Sequence, residues 1–166
     1  MHTEPKLEDR SEQPYVGIRT LTPVKDLSEV IPQLIDCASA WLGTQGIASV
    51  GVPFIRYYML GDEFDIEIGF PVAAGVSGDD SVVANVLPAG RYATLVYTGV
   101  ENGYPANKAL VEWAEKNAIT WDHWDVEKGD AFRSRYETFL SDDDPDMGKW
   151  ETEVAIKLAD ARLSSL

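Results

Sequence analysis

The chain has 166 residues, of which 28 are acidic and 14 basic, so its formal net charge is −14, while 45% of its residues are hydrophobic. This length and balance suit a single folded domain. Nucleic-acid affinity depends on clustered Lys and Arg, and a strongly acidic field is also repelled by anionic membrane surfaces. We therefore expect neither direct nucleic-acid binding nor a membrane partner.

The sequence excludes several other classes of site. The single cysteine, Cys37, rules out an intrachain disulfide. Together with two histidines, His2 and His123, it leaves no set of metal ligands, and no cofactor motif is present. No apolar run is long enough to cross a bilayer, and the N-terminus lacks the apolar core of a signal peptide. We expect a cytoplasmic protein without metal or cofactor.

In chain order, the first 13 residues are polar and are predicted to form a disordered tail. Alternation over Tyr15–Leu21 predicts a strand. Apolar residues then recur at helical spacing from Leu27 to Leu42, which predicts an amphipathic helix. Because proline is tolerated only near a first turn, Pro32 places the helix start close to Ser28.

Two further strands complete this first module, which spans residues 14–72. Pro53–Leu60 and Glu63–Val72 are predicted to form a hairpin around the turn-forming pair Gly61-Asp62. Residues 73–89 follow as a linker. It is long and rich in small residues, so we expect it to wrap around the domain or act as a lid.

The second half repeats the same order of elements over residues 90–160, so one domain is predicted over 14–160, with a C-terminal tail at 161–166. Its predicted elements are a strand at Arg91–Thr98, a helix with Ala106–Ala114 on its apolar face, and a hairpin of Ala131–Leu140 with Lys149–Leu158. The extra length of this module falls in the acidic turn at Ser141–Asp146.

Landmark residues recur in the same order in both halves. The pairs are Tyr15 with Tyr92, Trp41 with Trp113, Arg56-Tyr57 with Arg135-Tyr136, and Glu67 with Glu153. An internal repeat of this kind indicates duplicated units packed on each other. The predicted fold is α+β, with two tandem strand–helix–strand–strand modules related by a pseudo-twofold axis, antiparallel sheets and a ligand cleft between the modules.

The last strand of each module places a glutamate away from the helix. In Phe64–Phe70 the aromatic and aliphatic residues alternate with Asp65 and Glu67, so the carboxylates lie on the opposite face. The same alternation applies to Glu153 in the final strand. With the modules related by a twofold axis, Glu67 and Glu153 are predicted to approach one cleft from opposite halves.

These segments resemble the GyrI-like effector-binding domains, which are also the ligand-sensing modules of multidrug-responsive transcription regulators. The matching segments are Phe64–Val72, Leu87–Tyr92, Arg135–Leu140 and Thr152–Ile156, with Leu-Pro-Ala-Gly-Arg-Tyr the most specific of them. The resemblance implies an aromatic pocket around a buried glutamate that receives bulky, often cationic organic molecules. By position that glutamate is Glu153, and Lys157 stands where the family usually has a proline.

The resemblance implies a stand-alone sensor domain, because the DNA-binding helices of such regulators are not found in this sequence. We expect it to bind bulky hydrophobic small molecules, cationic ones among them, for sensing or sequestration. The candidate ligand-binding residues are Glu153, Glu67, Tyr57, Tyr92, Trp124 and Tyr136, with Trp121 as a further candidate.

Three alternatives stay open at this stage. Glu153 is equally compatible with an internal ion pair to Arg56, Arg91 or Arg135. A hydrolase that opens cyclopropane-containing electrophilic toxins would use Glu153 and Tyr136 as catalytic residues. A protein-type inhibitor of DNA gyrase is the third, and a protein partner has no further support in the sequence.

Overall fold

The computed structural model describes residues 1–141 and 144–160 and has the predicted α+β architecture, with two helices on one face of a ten-stranded antiparallel sheet. The predicted tail at 161–166 lies outside the described residues. The strands are β1 Lys6–Arg10, β2 Gln13–Pro23, β3 Phe54–Gly61, β4 Glu63–Pro71, β5 Val83–Leu87, β6 Gly90–Thr98, β7 His123–Val126, β8 Gly129–Phe132, β9 Arg135–Ser141 and β10 Glu151–Lys157; the helices are α1 Leu27–Gln45 and α2 Gly103–Lys116.

The sheet is built from two equivalent halves that meet at its centre. Its strand order is β1-β6-β10-β9-β3-β4-β2-β5, so β2-β4-β3 of the first module mirrors β6-β10-β9 of the second. The halves join where β3 pairs antiparallel with β9, and Ile55 lies opposite Glu137 there. The predicted pseudo-twofold relation between the modules is therefore confirmed.

The strand register confirms that Glu67 and Glu153 are equivalent positions. Glu67 lies opposite Arg19 on β2, and Glu153 lies opposite Val96 on β6. Arg19 and Val96 are each four residues beyond the tyrosine that opens the repeat. Tyr15 and Glu67 of the first module therefore occupy the same positions as Tyr92 and Glu153 of the second.

The predicted equivalence of Arg56-Tyr57 with Arg135-Tyr136 is wrong. Arg56 lies opposite Glu67, whereas the residue opposite Glu153 is Thr138 rather than Arg135. Side chains alternate between faces of a strand, so Arg56 points away from the helices and Arg135 points towards them. The two Arg-Tyr pairs are a coincidence of sequence without a shared position in the fold.

The N-terminal segment is not a disordered tail throughout, which corrects the prediction for residues 1–13. Residues Lys6–Arg10 form edge strand β1, which pairs with β6 from Lys6 opposite Thr94 to Arg10 opposite Gly90. Leu7 packs against the hydrophobic cluster of the second module. Backbone pairing with β6 and the packing of Leu7 hold this polar strand in place, together with the contacts of Arg10 described below.

The predicted linker also contains a strand. Residues Val83–Leu87 form β5, which pairs with β2 at the other edge of the sheet. Each long first strand is thus preceded by an edge strand that pairs with the opposite module, β1 with β6 and β5 with β2. The chain crosses between the modules twice, and this ties them together.

The ends of helix α1 are set by local sequence. It begins at Leu27, so Pro32 is its sixth residue and the hydrogen bond to the Ser28 carbonyl is absent from the helix. It ends at Gly46, which has a left-handed backbone at φ +66°. The Ile47 amide donates to the Leu42 carbonyl, so the free carbonyls of the last turn are satisfied.

The core has three parts. One hydrophobic cluster lies under α1 and includes Val16, Ile55, Ile66 and Ile68; a second lies under α2 and includes Leu95, Leu110, Val154 and Ile156. A third lies on the opposite face and consists of Tyr15, Phe54, Leu87, Tyr92, Tyr136 and Ala155.

Within the described residues, neither helix has the length and hydropathy needed to cross a membrane.

Candidate functional site

A cavity of about 740 Å³ lies between the two modules on the helix-covered face. It is bounded by the start of α1, by β3 and β9 at the centre of the sheet, and by α2. Its principal polar and aromatic lining residues are Tyr57, Phe64, Tyr97, Tyr104, Arg135 and Glu137. This cavity lies between the modules but on the helix-covered face, not on the face where Glu67 and Glu153 were predicted to meet, and we call it the helix-side cleft.

Alternation along β9 determines which side chains reach the helix-side cleft. Glu137 lies opposite Ile55 on β3 and Val154 on β10, and both of these pack under the helices. Glu137 and Arg135, two residues earlier, consequently share the helix-covered face. Tyr136 between them belongs to the aromatic cluster on the opposite face.

Glu137 is the central acidic group of the helix-side cleft and is only 8% exposed. The Tyr97 hydroxyl donates a hydrogen bond of 2.7 Å to its Oε1 atom. Burial and the neighbouring Glu137 carboxylate raise the pKa of Tyr57 and of Tyr97 well above the usual value, so both hydroxyls stay protonated. Within residues 1–141 and 144–160, no basic side chain comes within ion-pair distance of Glu137.

Arg135 provides the opposite charge on the same face. Its Nη2 atom donates to Asn107 Oδ1 at 3.0 Å, and its guanidinium carbon lies 4.8 Å from the centre of the Phe132 ring. Burial lowers the pKa of Arg135 from its usual value. Helix α2 adds Lys108, Glu112 and Glu115 at the exposed rim.

Glu67 lies on the opposite face of the sheet, as the alternation of β4 predicts, and does not line the helix-side cleft. It is 2% exposed and accepts hydrogen bonds from the hydroxyls of Tyr15 and, at 2.7 Å, Tyr58. Arg56 Nη1 donates to the Tyr15 hydroxyl at 2.9 Å. This carboxylate is buried, with two tyrosine hydroxyls bonded to Oε1 and a guanidinium behind one of them.

Glu153 also lies on the opposite face, where Arg10 pairs with it. Arg10 Nη2 lies 2.7 Å from Glu153 Oε1, and Arg10 Nη1 donates to the Tyr136 hydroxyl at 2.7 Å. An ion pair was one of the alternatives for Glu153, but the partner is none of the three arginines considered. It comes from the segment predicted to be a disordered tail.

Two of the predicted aromatic residues are packing groups on that opposite face. The Tyr92 hydroxyl donates towards the Pro88 carbonyl at 2.7 Å and lies 2.8 Å from Ser134 Oγ, and its ring packs edge-on against Tyr136. Both rings are less than 10% exposed. Tyr136 also packs against Phe54, which extends the aromatic cluster across the sheet.

The predicted tryptophans lie elsewhere. Trp124 is 43% exposed on the β7–β8 hairpin, with the Arg133 guanidinium 5.0 Å from its ring centre. Trp121 packs against the cluster under α2. Of the six residues first predicted to bind ligand, Tyr57 alone lines the helix-side cleft.

Glu137 and Tyr97 were not among the predicted site residues, and Arg135 was predicted only as an ion-pair partner. The signal that identifies Arg135 and Glu137 is the two-residue period already used for β4 and β10. Applied to β9, it places Arg135 and Glu137 on the helix-covered face at the module boundary. That boundary is where a cleft between duplicated modules must lie.

Comparison with known proteins identifies the family and the fold. The sequence profile of the GyrI-like small molecule binding domain matches residues 3–159. No curated protein matches the chain. Among solved structures, the crystal structure of the EcmrR C-terminal domain has a TM-score of 0.70 at 18% identity and covers 95% of this chain and 98% of that one.

Three further structures are similar. In the EcmrR–DNA complex the TM-score is 0.76 at 17% identity, over 95% of this chain and 58% of EcmrR, so this chain spans just over half of that protein. A hydrolase from Listeria innocua gives 0.65 at 11% identity, covering 94% and 92% of the two chains. SAV2435 bound to tetraphenylphosphonium gives 0.58 at 13% identity, covering 95% and 94%. At these identities the likeness shows the fold alone.

Proposed function

Because the chain belongs to the GyrI-like small molecule binding domain family, we propose that it binds bulky hydrophobic molecules, including lipophilic cations, in the helix-side cleft. Sensing or sequestration of such compounds is the proposed role. The observation that carries this proposal is Glu137, a buried carboxylate that faces an aromatic cavity and has no ion-pair partner among the described residues.

Electrostatics explains why such a carboxylate favours a cationic ligand. Removing a carboxylate from water is unfavourable unless a positive charge or hydrogen bonds compensate it. At Glu137 the hydrogen bond comes from the Tyr97 hydroxyl, which leaves the negative charge in place, and Arg135 lies on the same face without forming an ion pair with it. An incoming cation supplies the missing charge, and each well-placed ring face adds about 0.5–2 kcal/mol of cation–π attraction.

The size of the cleft supports the same class of ligand. Pockets for drug-sized molecules measure roughly 300–1,000 Å³, and the cavity here is about 740 Å³. SAV2435, which has the same fold, was solved with tetraphenylphosphonium, a bulky lipophilic cation. We transfer that ligand class to this chain as part of the proposal.

Calorimetric titration of tetraphenylphosphonium tests the proposal. Glu137→Gln is expected to weaken binding at least tenfold, which corresponds to about 1.4 kcal/mol, because it removes the charge and keeps the shape. Glu153→Gln is the matched control and is expected to bind within twofold of wild type. Loss of affinity in Glu153→Gln alone, or no saturable binding to wild type, would contradict the proposal.

Hydrolysis of an electrophilic compound is a second candidate, and one observation favours it. The Tyr97 hydroxyl hydrogen-bonds to Glu137 beside the cavity, so a proton donor and a carboxylate are paired at the site. Such a pair is suited to general acid–base chemistry. Tyr136 and Glu153, the earlier catalytic candidates, are instead both bonded to Arg10 on the opposite face.

Mass spectrometry of a recovered cyclopropane-containing electrophile separates the two functions. A hydrolase returns a product that has gained one water, and Glu137→Gln reduces turnover more than affinity. A binding protein returns the compound intact.

A further inference from the structure

Two charges of opposite sign, the half-buried Arg135 and the buried Glu137, face the helix-side cleft from a single strand. Arg135 and Glu137 are two positions apart on the same face of β9, and the rise per residue places their Cα atoms about 7 Å apart. Within residues 1–141 and 144–160, neither side chain forms an ion pair with any other. The sheet side of the cleft therefore presents one positive and one negative charge, two residues apart along β9.

The structure holds Arg135 in position while leaving most of its donors available. A guanidinium has five N–H donors, and the described residues supply one acceptor, Asn107 Oδ1. Asn107 is itself oriented, since its Nδ2 donates to the Gly103 carbonyl at 2.9 Å. The Phe132 ring covers one face of the guanidinium. The remaining N–H groups are those that a ligand in the cleft can reach.

The other charged groups at the cleft do not alter this polarity. Lys108, Glu112 and Glu115 line the rim from α2, and all three are exposed to solvent. Exposed charges are screened by water and salt. Asp130, an acidic group outside the cleft that interacts electrostatically with Arg135, contacts His123 Nδ1 at 3.0 Å.

We propose that the ligand of the helix-side cleft is amphoteric: a bulky hydrophobic body with a cationic group for Glu137 and a carboxylate or similar acceptor for Arg135. This inference rests on the proposed binding function and narrows it. A ligand with only a cation compensates Glu137 and desolvates Arg135 without a partner, whereas a ligand with only an anion does the reverse. A ligand with both groups compensates both.

A pair of dyes tests the preference because the two molecules differ at one group. Rhodamine B carries a cationic xanthene and a carboxylate, and its ethyl ester keeps the cation and lacks the acid. Fluorescence anisotropy at neutral pH is expected to show at least tenfold tighter binding of the acid by wild type. Tetraphenylphosphonium is expected to displace both dyes.

Variants assign the preference to Arg135. Arg135→Gln is expected to remove the preference, so that the acid and the ester bind within about twofold of each other. Arg135→Lys keeps the charge and is expected to retain part of the preference. Arg133→Gln, an exposed arginine outside the cleft, is the matched control and is expected to behave as wild type.

The outcomes separate this inference from the proposed function. If tetraphenylphosphonium binds and the acid binds no tighter than the ester, or Arg135→Gln weakens both dyes equally, the amphoteric ligand is ruled out and the binding function stands. If neither dye nor tetraphenylphosphonium binds to wild type, both proposals fail together. Thermal unfolding of each variant shows that the protein under test is folded.

Discussion

The two faces of the sheet each hold a buried glutamate among tyrosines, and the two glutamates are treated differently. On the opposite face, Glu67 accepts from two tyrosine hydroxyls and has Arg56 behind one of them. On the helix-covered face, Glu137 accepts from Tyr97 and faces a cavity. A carboxylate whose partners lie within the protein stabilises the fold, whereas one beside a cavity and without an ion-pair partner is available to a ligand.

Glu153, which is partly buried, is a third case and resembles Glu67 in having its partners within the protein. It has the sequence position of a ligand-binding glutamate, but Arg10 supplies its counter-charge. Carboxylate type and strand position do not separate these glutamates. Their surroundings do, because Glu67 and Glu153 contact partners within the protein on the opposite face, whereas Glu137 faces the cavity.

The largest expected effect is alkaline unfolding, which tests the burial that both faces share. Burial raises the pKa of Tyr92 to about 12 from an ordinary value of 10, and the pKa of Tyr15, Tyr57, Tyr97 and Tyr136 is raised in the same direction. Between these values the unfolded chain has lost phenolic protons that the folded chain keeps. Stability therefore falls as pH rises from 10 towards 12, by up to about 1.4 kcal/mol per pH unit for each tyrosine.

Absorbance of tyrosinate and far-ultraviolet circular dichroism, followed on the same samples, check this. Most of the absorbance change is expected in the same cooperative step as the loss of secondary structure. Gradual ionisation of most tyrosines before any loss of structure would show that these hydroxyls are not buried.

The next largest effect tests directly whether Glu67 contributes more to stability than Glu137. Glu67→Ala is expected to lower the free energy of unfolding by about 3 kcal/mol, because the Tyr15 and Tyr58 hydroxyls lose their acceptor. Glu137→Gln is expected to change it by less than about 1 kcal/mol. Urea denaturation measures both, and equal destabilisation would remove the distinction between the faces.

A smaller effect is expected from the Arg10 ion pair. Arg10→Met should lower stability by about 1 kcal/mol, since the pair with Glu153 is partly exposed and screened by solvent. Affinity for tetraphenylphosphonium should stay within twofold of wild type. Arg133→Met, at a more exposed pair with Asp122, is the control and should change stability less. A large loss of ligand affinity in Arg10→Met would place the site on the opposite face.

The smallest effect is expected at Trp124. Because its ring lies on an exposed hairpin outside the cleft, Trp124→Ala should change stability by less than about 0.5 kcal/mol and ligand affinity by less than twofold. Tyr57→Ala, at a cleft position, is the contrasting variant and should weaken binding severalfold. A reversed order would contradict the placement of the site between the helices.

Much of the fold is predictable because it depends on local periodicity. The apolar spacing of α1 and the alternation of β2 and β4 locate those elements to within a few residues. Strand β1 is not predictable in this way, because it has one apolar residue, Leu7, among charged ones. Its partner β6 lies about eighty positions away, so tertiary pairing alone stabilises it.

The site was less predictable for a related reason. The alternation of β10 places Glu153 on the correct face, yet its partner Arg10 is 143 residues away in sequence. No local pattern reports such a pair. The same alternation places Glu137 on the helix-covered face. The similarity of Arg56-Tyr57 to Arg135-Tyr136 predicted the wrong face for it, because the two pairs have different strand partners. An internal repeat predicts register only where equivalent residues have equivalent partners.

The most direct test of the ligand site is a crystal structure with tetraphenylarsonium, the heavier analogue of tetraphenylphosphonium, located by the anomalous scattering of arsenic. The expected result is one strong peak in the helix-side cleft, between α2 and the β9 strand and next to the Glu137 carboxylate. A peak beside Glu67 or Glu153 on the opposite face, with the cleft empty, would contradict the assignment.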